Sequence, residues 1–321
     1  MSVYMRKNNT RFIDRRMIDS TGAFLISELD RLDQKLHEPL WTVTWGRDVP
    51  LRSDVTIADE YTSFMRIKYA SPGGITPAGK HWLSGDSTTI PGIAVDLDKK
   101  TLPMHPWGME LGYSIFDLAK SQQLNRSIDA QKQEGIRISY QKEVDEMVYI
   151  GDTEVKATGL VNNPDIPIFA ISAPWTATTP PDQILTDINE FMVSVWEGTG
   201  YTIFPATLLL PPQKLALLTR PVGIGGEKSI MNYVIENALA TQENNRPLQI
   251  LSVRWLKGRG VGSADRMMAY TNDVSYLRYP LVPIDRTPLQ FKGIYQIAEY
   301  YAAFGHLEFI YPSTVGYADG I

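Results

Sequence analysis

One stretch, residues 121–159, constrains the fold of this chain more than any other. It contains no proline, and its apolar residues recur every four positions, the spacing of neighbours on one helix face. Those positions are Leu124, Ile128, Ile136, Tyr140, Val144 and Val148, with Lys132 at the one polar step. A helix of about thirty residues is about 45 Å long, well beyond the usual globular helix.

The spacing also predicts how such a helix packs. A step of four residues overshoots one helical turn, so the apolar stripe winds around the helix and must contact different partners along its length. The polar residues between the apolar positions are predicted to face water. They are Gln131, Gln133, Glu134, Arg137, Gln141, Lys142, Glu143, Asp145 and Glu146.

Composition excludes several classes of protein. The chain has 321 residues and no cysteine, which excludes disulfides and thiolate metal sites and suits a reducing compartment. No apolar run is long enough to span a bilayer, so no transmembrane segment is expected. Residues 1–16 lack the apolar core of a signal peptide, so no signal peptide is expected. The net charge of −5 argues against binding polyanions by bulk attraction.

The first nineteen residues are polar and locally basic. Their cations are Arg6, Lys7, Arg11, Arg15 and Arg16. Such an arm is interpreted either as a contact with nucleic acid or as a solvated or partner-bound arm. Spacing predicts an amphipathic helix after it, between Phe24 and Leu36, and the alternation of Trp41, Val43 and Trp45 predicts a short strand.

Residues 60–100 are predicted to form an extended hairpin. Alternating segments at residues 55–57, 64–69 and 93–97 flank a tip, residues 71–92, that is rich in Gly, Pro, Ser and Thr. A two-stranded ribbon is marginal alone, so we expect it to lie on a partner, with His81, Trp82 and Ile90 suited to that surface. The alternative is an unstructured surface loop.

The pattern of residues near 175–285 predicts alternating helices and strands that form a second domain. This domain is inserted in the first one. A helix is predicted after Thr179, with this threonine as N-cap and a proline at the first position. A return of the chain as a strand pair, with Gly305 at the turn, is predicted over residues 294–309. The other predicted elements are strands at 207–210, 248–256 and 267–271 and helices at 213–218 and 229–242.

This arrangement resembles the Hong Kong 97-type phage major capsid protein over nearly the whole chain. The most specific part runs from Ile150 to Pro167 and contains G-L-V-N-N-P, where the family typically carries G-L-L-N and this chain has Val161 instead of leucine. The resemblance implies an α+β fold with an N-terminal arm, an E-loop hairpin, a P-domain with a long spine helix and an inserted A-domain. The implied bounds are 1–40 for the arm, 41–174 for the P-domain, about 60–100 for the E-loop, about 118–150 for the spine, 175–285 for the A-domain and 286–321 for the return to the P-domain.

The same resemblance implies a structural function. Such proteins self-assemble into hexamers and pentamers of an icosahedral phage head that encloses double-stranded DNA without sequence specificity. It further implies scaffold, portal and decoration proteins as partners, no membrane, assembly in the host cytoplasm and a place in the virion. An encapsulin-like compartment shell shares the fold and is the alternative.

The resemblance also implies that the hairpin tip contacts a neighbouring subunit. The expected intersubunit contacts are Tyr69, Ile75, Lys80, His81, Trp82 and Ile90. Lys80 lies where some relatives form isopeptide bonds, but the sequence identifies no partner residue for it.

The stretches that resemble enzymatic motifs do not have the spacing that those motifs require. In the stretch 223–229, Glu227 separates the last glycine from Lys228, which breaks the phosphate-loop pattern. The glycines at 258–262 precede a predicted strand instead of the helix that a dinucleotide site needs. The four histidines have no partner four residues away, and Asp96 and Asp98 are interpreted as one solvated face of a strand. We therefore predict no catalytic, cofactor or metal site and no enzymatic activity.

Overall fold

A computed structural model describes residues 42–70, 92–116, 128–222 and 228–321. The helices are α1 (Trp45–Asp48), α2 (Ile128–Tyr149), α3 (Pro181–Gly198), α4 (Pro212–Leu218), α5 (Ile230–Asn237) and α6 (Leu239–Asn244). The strands are β1 (Leu51–Arg52), β2 (Tyr61–Ala70), β3 (Ala94–Ser114), β4 (Ile168–Ala170), β5 (Thr207–Leu210), β6 (Gln249–Ser252), β7 (Arg266–Tyr270), β8 (Leu277–Arg286), β9 (Gln290–Lys292), β10 (Tyr295–Gly305), β11 (Glu308–Phe309) and β12 (Val315–Asp319). Short 3₁₀ turns occupy Arg254–Leu256, Val261–Ser263 and Pro312–Thr314.

The strands form two sheets. The first has the order β1-β8-β10-β3-β2, with β11 beside β8 and β9 beside β10. The second has the order β4-β12-β7-β5-β6. The C-terminal strand β12 therefore lies inside the second sheet, paired with β7 on one side and β4 on the other.

The second sheet is buried on both faces. On one face Leu208, Met267 and Ala318 pack under helices α3 and α5. On the other face Leu209 and Tyr317 join the core that contains the C-terminal half of α2. Alternate residues of one strand thus enter different cores, which explains why these strands read as continuous apolar runs.

Helix α2 confirms the predicted long helix from Ile128 onward, whereas residues 118–127 lie outside the described part of the chain. Its winding stripe meets successive partners. Ile136 packs with Leu111 and Tyr113 of β3, and Tyr140 packs with aromatic rings from β3 and β10. Val144, fully buried, enters the core shared with the second sheet.

The polar step in the stripe has its own contact. The Lys132 ammonium donates to the Gly112 carbonyl at 2.8 Å and lies 4.9 Å from the Tyr113 ring centroid. A lysine therefore fits this position because its charge meets a backbone acceptor and an aromatic face.

The prediction is wrong for one of the polar residues of α2 that were expected to face water. Asp145 is buried, because α1 and the turn at residues 254–256 cover this side of the helix. Its carboxylate accepts from the backbone N–H of Thr44 at 3.1 Å and of Trp45 at 3.3 Å, from the Trp255 indole at 2.8 Å and from Arg254 at 3.3 Å. The acid thus ties the first described residues of the chain to the long helix.

The strand predicted at residues 41–45 is also wrong over its described part. Trp45–Asp48 is a short helix, and the Trp45 indole donates to Gln141 at 3.2 Å. The buried Asp48 accepts from the Tyr149 hydroxyl and from Arg47. These hydrogen bonds to α2 replace the sheet ladder that alternation alone indicated.

The segment after α2 folds back tightly on the helix end. Gly151 has a φ of +76°, and a Cβ on Gly159 would collide with the Tyr149 carbonyl. The Asn162 side chain accepts from Gly159 N–H at 2.8 Å and donates to the Ile150 carbonyl at 2.7 Å. Glycine and asparagine in the G-L-V-N-N-P segment are therefore required by backbone contact.

The same segment is joined to the C-terminal strand β12. The Tyr317 hydroxyl donates to the Leu160 carbonyl at 2.6 Å and accepts from Asn163 N–H at 3.1 Å. Arg266 forms a buried bidentate pair with Asp319 at 2.6 and 2.8 Å and donates to the Val161 carbonyl at 2.7 Å.

Several other element predictions need correction. The N-cap of α3 is Pro180 instead of Thr179, whose hydroxyl accepts from Thr176 N–H. The helix predicted over 229–242 breaks at Ala238, where the backbone is extended and Asn189 accepts from the next N–H. The strand predicted at 248–256 ends at Ser252 and is followed by a 3₁₀ turn, and residues 55–57 are not a strand.

The strand pair predicted over residues 294–309 is wrong in its pairing. Strand β10 lies between β3 and β8, whereas β11 pairs with β8 instead of folding back on β10. Gly305 is a position of close approach, since a Cβ there would collide with Pro280 and Met104.

Candidate intersubunit surface

Strand β2 and the first half of β3 form a two-stranded ribbon, residues 61–70 and 94–103. The second half of β3 pairs with β10 in the body of the first sheet. The hairpin predicted over residues 60–100 is therefore confirmed in its two strands. Of the predicted contacts, Tyr69 lies on the ribbon, whereas Ile75, Lys80, His81, Trp82 and Ile90 lie outside the described residues.

One face of the ribbon is apolar and exposed. Residues directly opposite each other on antiparallel strands share a face, and the pairs here include Ile67 with Leu97 and Tyr69 with Val95. The exposed fractions are 54% for Ile67, 60% for Leu97 and 70% for Tyr69. Met65 and Tyr61 continue the row toward the sheet and are exposed as well. The same face also carries Lys99, opposite Met65, and the pair of Ser63 and Thr101.

The opposite face carries charges. Arg66 pairs with Asp98 at 2.9 Å, and Lys68 reaches the same carboxylate at 3.8 Å. Asp96 faces Lys68 across the strands, so Asp96 and Asp98 do share one face, as predicted. The ribbon is therefore amphipathic, with a polar side that suits water and an apolar side that has no partner among the described residues.

The ribbon is fixed to the body at its root. Phe64 is buried, and Met104 N–H donates to the Glu60 carbonyl at 2.8 Å. Arg52 donates to the Ser63 carbonyl at 3.3 Å and to the buried Glu308 at 2.8 Å.

Two ion pairs reinforce this root. Arg278 donates to the second oxygen of Glu308 at 2.6 Å, so one buried carboxylate joins β1, β8 and β11. The Arg52 guanidinium also hydrogen-bonds Asp54, which lowers the pKa of that carboxyl. These contacts fix the position of the ribbon, and therefore of its apolar face, relative to the first sheet.

The amphipathic pattern indicates an interaction surface. Two strands without further support are marginally stable in water, and contiguous exposed apolar side chains are typical of protein contacts. Sequence reasoning found the hairpin but placed the contacts in its tip. Apart from Tyr69 it missed the residues of the apolar row, at 61, 65, 67, 95 and 97, because alternation along β2 was visible in the sequence but the cross-strand register was not.

The described residues of the two glycine-rich stretches have structural contacts. Gly260 precedes β7, and its loop closes on Asp319, which accepts from Val261 N–H at 3.0 Å. Residues 223–227 lie outside the described part, and Lys228 pairs with Glu236 at 2.6 Å. Within the described ranges no three His, Asp or Glu side chains are grouped to hold a metal ion, and no helix is both long and apolar enough to cross a membrane.

Comparison with known proteins gives the class of this protein. The chain belongs to the major capsid protein family, whose model matches residues 79–321. It is thus a structural capsid protein, a component of virions. No curated protein sequence matches the chain.

Solved structures show the fold. The chain is similar to "The capsid of Myoviridae Phage XM1", with a TM-score of 0.74 and 16% identity over 92% of this chain and 98% of that one. It is similar to a chain of Mycobacterium phage Bobi, with a TM-score of 0.58 and 12% identity over 96% and 98% of the two chains. A third similarity is to the capsid of an empty GTA particle, with a TM-score of 0.55 and 10% identity over 96% and 99%.

Proposed function

We propose that this chain forms the icosahedral head of a double-stranded DNA phage by assembling into hexamers and pentamers with a Hong Kong 97-type fold. The observation that carries the proposal is the exposed apolar face of the ribbon, Tyr61, Met65, Ile67, Tyr69, Val95 and Leu97, in a member of a capsid family. The occupant of this face is a second copy of the chain.

The domain names of that fold can be assigned to the described elements. In this proposal the ribbon is the E-loop, α2 is the spine helix, and the first sheet belongs to the P-domain. The second sheet with α3 to α6 is the A-domain, with the difference that strands β4 and β12, which lie outside residues 175–285, contribute to it.

The energetics favour a copy of the chain as partner. Burying a large aliphatic or aromatic side chain contributes about 1.5–3 kcal/mol relative to leaving it exposed, and six such side chains line the ribbon face. Part of this gain is offset by the loss of translational and rotational freedom on association. A contact between different surfaces of identical copies generates closed rings when the rotation closes, as hexamers and pentamers require.

The charge of the chain bears on the packaged DNA. Condensing DNA by neutralising its phosphates needs many basic residues, whereas this chain has a net charge of −5. We therefore propose that the inner surface of the shell encloses DNA that other components drive in. The shell contacts this DNA without sequence specificity. Scaffold, portal and decoration proteins as partners, and assembly in the host cytoplasm, follow from the same capsid type.

Negative-stain microscopy of the purified protein tests the proposal. Uniform hollow shells or flat hexamers and pentamers are expected. Protein that stays monomeric at high concentration, both alone and with the scaffold protein from its own gene cluster, would contradict it. Portal and terminase genes beside its gene favour a phage head, whereas a neighbouring cargo enzyme would favour the encapsulin-like compartment.

A further inference from the structure

The two histidines in the described part of the chain, His105 and His306, lie against each other. Their Nε2 atoms are 3.0 Å apart, and their rings stack with centroids 5.2 Å apart and planes inclined by 27°. At this separation one nitrogen donates a proton and the other accepts it. The contact therefore tolerates one proton between the two Nε2 atoms, and a second proton would set two N–H groups against each other.

The pair lies at the root of the ribbon. His105 is in β3, immediately after the point where this strand changes partner, from Tyr61 opposite Pro103 to Gly305 opposite Met104. His306 directly follows the last residue of β10. The hydrogen bond thus joins the end of β10 to β3 where the ribbon leaves the body.

The surroundings disfavour added positive charge. His306 is buried, and burial first, then repulsion from His105, lowers the pKa of its imidazole.

The ion pairs beside this corner join Glu308 on β11 to Arg52 on β1 and to Arg278 on β8, and join Arg52 to Asp54. Glu60 lies just before β2. Glu308 is shared by both arginines and Asp54 pairs with Arg52, so these two arginines and two carboxylates have no net charge. What disfavours a second proton is the burial of His306 and the repulsion between the two rings.

We propose that His105 and His306 form an acid-sensitive latch that holds the root of the ribbon while they carry at most one shared proton and releases it when both rings become imidazolium. The latch belongs to the single subunit, and only its consequence for assembly rests on the proposed function of the ribbon. Because the open pair binds a second proton that the closed pair rejects, acid favours opening. The closed state is favoured when the pH is above the ordinary histidine pKa of about 6.5. It loses this advantage as the pH falls from there toward the lowered pKa of His306.

Hydrogen exchange of the unassembled subunit at about pH 7.5 and about pH 5.5 tests the latch. After correction for the intrinsic exchange rate, the amides of residues 61–70 and 94–103 are expected to lose protection by about tenfold per pH unit below the ordinary histidine pKa. In His306→Gln and His105→Gln this pH dependence should disappear, because glutamine does not titrate. In the control His37→Gln, which changes a histidine elsewhere in the chain, it should persist.

Equal ribbon protection at both pH values in the natural sequence would overturn the latch, and so would an unchanged pH dependence in His306→Gln. If both glutamine variants fail to fold, NMR titration of the natural protein decides the matter. Two separated imidazole titrations, with the second proton bound well below the first, support the latch, whereas two independent titrations near the ordinary pKa contradict it. Both measurements use the unassembled subunit. A failure of the latch can therefore be distinguished from a failure of the protein to form shells.

Discussion

Replacing Ile67 and Leu97 together with asparagine is expected to abolish shell assembly and leave the subunit folded. The two side chains lie opposite each other on the apolar face of the ribbon and are more than half exposed, so the subunit loses little burial when they change. A neighbour packed on them loses the apolar contact and must also desolvate two amides. Sedimentation and negative-stain microscopy measure the assembly, and thermal melting of the unassembled protein measures the fold.

The next rung of the ribbon supplies a matched control. Lys68 and Asp96 also lie opposite each other, on the charged face, and replacing both with asparagine places the same two residues at the adjacent rung of the ribbon. The ion pair that Lys68 loses is long and exposed, so it contributes little. This variant should assemble. Equal assembly of both variants, or equal failure, would show that the apolar face is not the contact.

Gly159→Ala is expected to destabilise the subunit by about 2–4 kcal/mol, the range of severe backbone clashes. The added Cβ would overlap the carbonyl of Tyr149 and the adjoining peptide nitrogen, which are backbone atoms at the end of α2 and cannot move like a side chain. The turn must shift, which weakens the Asn162 hydrogen bond to Gly159 N–H and that of Tyr317 to the neighbouring carbonyl. We expect a melting temperature lower by about 5–10 °C.

Gly135→Ala is the matched control, since it makes the same chemical change in the middle of α2. A Cβ at Gly135 meets no atom within 4 Å, and alanine is the better helix former by about 0.8–1 kcal/mol. Its melting temperature should therefore rise. A Gly159→Ala protein that melts at or above the temperature of the natural sequence would show that the turn is not packed as described.

The long helix was predictable because its signal is local. Four-residue spacing needs only neighbouring positions, and the burial of Ile136, Tyr140 and Val144 follows from it. The burial of Asp145 could not be predicted, because its partners lie about a hundred residues away in both directions along the chain. A carboxylate with four donors looks the same in sequence as one that faces water.

The ribbon shows the same division between local and long-range information. Alternation predicted the strands, but which residues stand opposite each other depends on a pairing across the hairpin, and this pairing decides the face that is apolar. The pairing of β10 with β3 and β8, like the entry of β12 into the second sheet, joins segments far apart in sequence. For the same reason no local pattern indicated that His105 and His306 would meet.

Protection of the ribbon in assembled particles tests the central claim most directly. Hydrogen exchange and limited proteolysis of residues 61–70 and 94–103 are to be compared between the unassembled subunit and purified particles, with the buried strand β7 as internal reference. Since the apolar face has no partner among the described residues, we predict that at neutral pH the ribbon of the free subunit exchanges and is cleaved faster than β7, and that its protection rises strongly in particles. Equal exchange and equal cleavage in both states, with β7 unchanged, would contradict the claim that the ribbon lies on a neighbouring subunit.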